Sequence, residues 1–179
     1  MFATRVLIGL FEFVFSVFML GAGIYMVYKV VLKANPDFDM GREIKKGNTA
    51  VGTLVAAILF SVCWIIHHVL FSVVSMFRMM MTGTGEAGVS LWQIPLIAAG
   101  HIVMALILAM FTISVTLRMF GKLTTEMKEG ELLRQGNMAV GILLSAVVLV
   151  ASMFVGEGVS ALSKALTPQP SVGKVRVLK

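Results

Sequence analysis

Four long apolar runs constrain this chain more than any other feature. They cover roughly residues 5–28, 48–77, 91–117 and 137–162, and each exceeds the ~20 residues an α-helix needs to cross a ~30 Å hydrocarbon core. The runs are continuous rather than alternating, which excludes a β-barrel, whose strands alternate apolar and polar side chains. Composition agrees: 58% of residues are hydrophobic, 13% are charged and the mean hydropathy is +0.94, outside the balance of a soluble domain. The expected fold is all-α, an integral membrane protein with four transmembrane helices.

The first run imitates a signal peptide, with Arg5 ahead of it and the small residues Gly21-Ala22-Gly23 inside it. It carries Glu12 in the would-be apolar core, however, and continues to Tyr28, beyond the roughly 7–15 residues of a signal h-region. A retained helix is expected. The single cysteine, Cys63, permits neither an intramolecular disulfide nor a thiolate metal cluster and is expected to pack as a small apolar residue.

The chain repeats itself. Residues 46–54 read KGNTAVGTL, and 89 positions later the sequence is QGNMAVGIL. At that shift residues 33–57 match 122–146 at nine of twenty-five positions, among them Gly41/Gly130, Gly47/Gly136, Asn48/Asn137, Gly52/Gly141 and Ala57/Ala146. The register holds upstream, where Leu7, Ile8, Val14 and Ile24 meet Leu96, Ile97, Val103 and Ile113. Two helices per copy is an even number, so both copies enter the bilayer in the same orientation, as two parallel helix–loop–helix repeats. The expected organisation is a first repeat over 1–83, a second over 84–166, and a basic, proline-containing tail over 167–179.

This pattern, charged-x-x-Gly-Asn-x-Ala-Val-Gly opening a membrane helix and doubled within a short chain, resembles the YjfL-like family of bacterial inner-membrane proteins, a tandem domain of unknown function. The resemblance covers about 5–75 and 92–164. It implies a four-helix inner-membrane protein in a family often associated with envelope maintenance and membrane stress. It brings no catalytic residues.

Physically, Asn48 and Asn137 precede apolar helices, where an Asn side chain accepts hydrogen bonds from the first free backbone N–H groups. Gly47 and Gly136 would let the loop turn. The alternative is an anion or lipid-phosphate site at the two helix N-termini, assisted by Lys45, Lys46 and Arg134. Just inside, Gly52-x-x-x-Ala56 and Gly141-x-x-x-Ser145 occupy equivalent places. Small residues four apart let membrane helices approach, so equivalent packing roles are expected.

Nine basic residues lie in the two repeat loops (Lys29, Lys33, Arg42, Lys45, Lys46, Arg118, Lys122, Lys128, Arg134), against six elsewhere (Arg5, Arg78, Lys164, Lys174, Arg176, Lys179). The positive-inside rule then puts both loops in the cytoplasm and both termini in the periplasm. The segment TTEMKEGELLRQ alternates charge with apolar residues and reads as a short interfacial helix.

The repeat register aligns Glu12 with His101 and His68 with Glu157. Glu12 and His101 lie seventeen residues before Lys29 and Arg118, and His68 and Glu157 twenty after Asn48 and Asn137, about 25 Å and 30 Å of helix. All four are expected in one layer toward the outer side. Charges at bilayer depth cost several kcal/mol and usually pair inside a bundle, with Gly156 and Gly158 admitting a neighbouring helix beside Glu157. Three readings stand open: a hydrogen-bonded network, a proton or cation relay, and a haem or transition-metal site in which His68 or His67, with His101, supplies nitrogen ligands. The cofactor is left unassigned. Gly52 and His68 are about 160° apart around a helix, which gives the second and fourth helices two committed faces and leads to the expectation of an oligomer.

Of the rest, Met79-Met80-Met81 reads as flexible filler, Trp92 as an interfacial anchor and Trp64 as a packing residue. A nucleotide loop, a Ser-His-Asp arrangement and a sizeable soluble domain are all missing from the sequence, so an enzyme is not expected. The pI near 9.8 suits anionic lipid better than nucleic acid. The reading is a non-enzymatic membrane subunit, homo-oligomeric or partner-binding, with proton or cation handling as the alternative.

Overall fold

The computed structural model describes residues 2–31, 39–82, 93–123 and 128–166; Trp92 and the tail over 167–179 lie outside these. The described residues form six α-helices and no strand: α1 (Phe2–Met26, continued by a π-helical turn Val27–Val31), α2 (Met40–Lys45), α3 (Thr49–Thr82), α4 (Gln93–Leu123), α5 (Glu129–Arg134) and α6 (Met138–Leu166). Among them four are long and apolar enough to cross a membrane. Helix is the form such segments take in lipid, because it satisfies every backbone N–H and C=O within the segment. At ~1.5 Å per residue α3 is about 50 Å long, so it reaches past the hydrocarbon on at least one side.

The short helices α2 and α5, and the starts of α3 and α6, fall at positions 89 apart. The same local chemistry builds both junctions. The N–H of Gly47 bonds to the carbonyl of Ile44 and that of Asn48 to Glu43; at the second junction Gly136 bonds to Leu133 and Asn137 to Leu132. This double closure ends a helix on a left-handed residue, and Gly47 and Gly136 both have φ of +81°. A side chain there would be strained.

Helix α3 is the spine. It packs against α1, α4 and α6, and its contact with α6 is the most extensive in the molecule. Ala50 meets Gly141, the Ser61 hydroxyl donates to the Val148 carbonyl across the interface at 3.4 Å, and His68 meets Gly156. The partners stay nearly 90 residues apart all along, so α3 and α6 run parallel. The seam of α6 is built from small residues, with Gly141, Ser145, Ser152 and Gly156 all buried. Their hydroxyls return to their own helix, Ser145 to the Gly141 carbonyl and Ser152 to that of Leu149. Ile58, Val62, Ile65, Val69 and Val73 of α3 meet Val148 and Val159 of α6 and Ala105 and Ala109 of α4 in one core that draws on both halves of the chain.

Helix α1 runs antiparallel to α3, with Phe11 stacked on Phe77 at a centroid distance of 3.9 Å and Gly23 against Cys63 and Ile66. It is the least covered span: 17% of its apolar window is buried, against 44% for α3. Helix α4 instead packs against both α3 and α6.

The expected equivalence of Gly52 and Gly141 does not hold. A Cβ on Gly141 would lie 2.7 Å from the Ala50 carbonyl oxygen, whereas one on Gly52 would meet nothing within 4 Å. The seam meets α6 on its glycine face and α3 on the face that carries Ala50 and His68, so identical motifs are rotated differently. Gly141→Ala is accordingly expected to lower stability by about 1–3 kcal/mol, the usual cost of overpacking. Gly52→Ala, with open space for its methyl in an ordinary helical turn, should match the parent or exceed it by up to about 1 kcal/mol. Unfolding in detergent would measure both.

Candidate functional site

The polar structure of the molecule is concentrated in two places, the junction where α3 and α6 begin and the middle-to-far part of the spans. At the junction Asn48 does two jobs. Its Oδ1 accepts from the Val51 N–H at 3.1 Å, capping α3. Its Nδ2 donates to the carbonyls of Leu133 and Arg134 at 2.9 and 3.2 Å, the last turn of α5. Asn137 caps α6 by accepting from the N–H groups of Ala139 and Val140 at 3.1 and 3.3 Å.

Beside Asn48 lies a residue that sequence reasoning passed over. Glu43 is buried, accepts from Lys46 Nζ at 2.7 Å and lies 3.4 Å from Asn48 Nδ2. The hydrogen bond from Lys46 holds its carboxyl below the ordinary glutamate value against the opposing effect of burial, with help from Asn48 and the charges of Lys46 and Arg134. The signal that could have found it is a break in the repeat: position 132, its counterpart, is Leu132. Asp39, also unremarked, caps α2 by accepting from the Arg42 N–H at 3.0 Å. Lys45 and Arg134 are exposed.

Within the spans the four aligned ionisable residues do not form one layer. Phe11 stacks on Phe77, so in the antiparallel pair Glu12 is level with a part of α3 about eight residues beyond His68, about 12 Å along the helix. Glu12 and Glu157 are exposed on the outside of the bundle. His101 is buried at 7% exposure, with Nδ1 2.8 Å from the Ile97 carbonyl. A carbonyl only accepts, so Nδ1 is the donor to it; Nε2 is buried without a partner. His68 is half-buried, also with an unpartnered Nε2, and its ring lies over Gly156, where an added Cβ would come within 2.9 Å. The physical reason for the difference is rotation: depth follows from residue count, whereas azimuth turns by 100° at every step. Gly156 faces α3 and so aims Glu157 away, while Gly158 has no neighbour within 4 Å.

The structure brings other groups together. Trp64 lies over Gly156 and meets His68 edge-on at 5.3 Å, keeping 37% of its surface exposed. Glu12 and Ser16 of α1 and Cys63 and His67 of α3 line one open groove of about 480 Å³, with Met19, Leu20, Ile66 and Leu70 as its apolar walls. No group of three or more His, Cys, Asp or Glu side chains among the described residues is placed to hold a metal ion. His68 and His101 each have a buried Nε2 without a partner.

The fold and these sites define an all-α membrane protein with four spanning helices. The chain belongs to the DUF350 family, a domain of unknown function, whose family model spans residues 1–159. That description does not carry the narrower YjfL-like label. Comparison with curated proteins finds no match, and comparison with solved structures finds none.

Because the carboxyl of Glu43 is held below its ordinary value in the folded protein, its charge contributes stability above the ordinary glutamate range, and that contribution is lost as pH falls through the folded-state value. The parent should lose thermal stability on acidification into that range, and Glu43→Gln should flatten this part of the profile. Melting followed from neutral pH downward would show it, and an unchanged slope would remove Glu43 from the junction's energetics.

Proposed function

We propose that the protein is a non-enzymatic inner-membrane subunit that acts by assembling, with copies of itself or with a membrane partner. It is read as two parallel repeats whose basic loops face the cytoplasm and whose termini face the periplasm. The observation that carries this reading is that Glu12, His67 and Glu157 point outward from apolar, membrane-length helices. Ionisable side chains facing lipid at such depth are costly and normally covered by protein. The basic loop residues support the orientation. A place in envelope maintenance or membrane stress rests on the family resemblance alone.

A second reading, proton or cation handling, is favoured by His101. Its Nε2 is sequestered without a partner while Nδ1 is pinned to Ile97, which leaves an unsatisfied polar nitrogen inside the bundle. Proton flux across vesicles containing the protein, lost in His101→Gln, would support it; equal flux in both would remove it.

The assembly reading is tested by the mass of the purified protein in a mild detergent or lipid disc, with a reporter fused after Lys179. A particle larger than the 19.4 kDa chain and a periplasmic reporter are expected. A strictly monomeric chain with no co-purifying membrane protein would overturn assembly, and a cytoplasmic reporter would overturn the orientation.

A further inference from the structure

His67 and Glu157 point to the same side of the α3–α6 pair. His68 of α3 faces Gly156 of α6, and the two helices run parallel. His67 precedes the first of these contact residues and Glu157 follows the second, so each is turned ~100° from the contact. On two parallel helices that face each other, a step back on one and a step forward on the other lead to the same side. Contact between positions 68 and 156 also puts His67 and Glu157 at nearly the same depth. Both are exposed.

The neighbours in the opposite sense behave differently. Val69 is fully buried and Val155 packs against the core, on the side where α4 lies across both α3 and α6. One side of the spine is therefore roofed by α4, and the other is open apart from α1 at its edge, whose Glu12 and Ser16 share the groove that His67 lines. The same 100° counting puts Phe60 and Phe71 of α3 and Val150 and Met153 of α6 on the open side, and all four are exposed. The open side is an apolar, partly aromatic face with a base on one helix and an acid on the other at one depth.

Resting on the assembly reading above, we infer that a second copy of this chain docks on the open α3–α6 face, with His67 of each copy against Glu157 of the other. The argument for a second copy is complementarity. An interface with two-fold symmetry brings a surface patch against itself. In a membrane two copies inserted alike are related by an axis along the bilayer normal, which preserves depth. A base and an acid at equal depth on either side of that axis become two reciprocal acid–base contacts. Both ionisable groups leave the lipid, where they are costly, and the aromatic surface between them supplies close packing, the main source of helix association in lipid.

The test uses the full chain carrying Cys63→Ala, expressed in two differently tagged copies, one with His67→Cys and the other with Glu157→Cys. Oxidation in native membranes should link the two tags. A copy with Phe111→Cys, exposed on α4, should not link to the Glu157→Cys copy. Independently, His67→Glu and Glu157→His, each alone, place like groups opposite each other and should lower the dimer fraction about tenfold, corresponding to ~1.4 kcal/mol. The double exchange should restore it. Circular dichroism confirms that each variant is folded. If the unsubstituted chain is monomeric in membranes, both this interface and self-assembly fall. If the chain assembles but the two tags do not link, and the single exchanges leave assembly unchanged, this face is wrong while self-assembly stands. Failure of a folded double exchange to recover overturns the reciprocal pairing.

Discussion

Everything else in the molecule is arranged around the close, parallel contact of α3 with α6. Lipid tails are as apolar as leucine side chains, so burial from water cannot hold two helices together inside a bilayer; packing and hydrogen bonds must. Gly141 and Gly156 remove side chains where the backbone of Ala50 and the ring of His68 come closest. Between these points Ser61 reaches the Val148 carbonyl. The pair so formed offers two sides. Helix α4 lies on one, while α1 packs mainly against α3, and this unequal dressing decides which ionisable residues are covered.

The ends of the spine obey a different economy. There water and headgroups are near, and the Gly-Asn motif resolves two problems in two residues. Glycine takes the left-handed conformation that ends the short helix, and asparagine supplies the acceptor that starts the long one. The solution is local, so both copies show it. What differs is the surrounding charge: Glu43 with Lys46 exists at one junction, and Leu132 stands at the corresponding place of the other.

Features governed by composition or by a few consecutive residues were legible in the sequence. The four spans follow from hydropathy and length, and the junctions follow from glycine and asparagine chemistry. The short helix within TTEMKEGELLRQ was legible for the same reason, and α5 occupies Glu129–Arg134. Features governed by rotation about a helix axis were not. The alignment of Glu12 with His101 and of His68 with Glu157 gave positions along the helices, yet Phe11 on Phe77 sets Glu12 far from His68, and Gly156 turns Glu157 outward. Gly52 and Gly141 have the same neighbours in sequence and different neighbours in space, because which face of a helix meets its partner is chosen by the whole interface. Glu43 escaped notice because the turn that brings Lys46 and Asn48 onto its carboxylate shows only in the fold, although the mismatch with Leu132 marked the position.

Asn48 bears on the order in which the protein can be made. Its amide donates to carbonyls of residues 133 and 134, which a ribosome adds only after the whole of α3 has been made. Before those residues exist, that amide has the Glu43 carboxylate, 3.4 Å away, to donate to, and the seam of α3 from Ala50 to His68 lacks the glycines it packs against. The contact with α6 comes from residues that follow their partners in α3 by almost ninety positions, so α3 is held between a neighbour made before it, α1, and one made well after it.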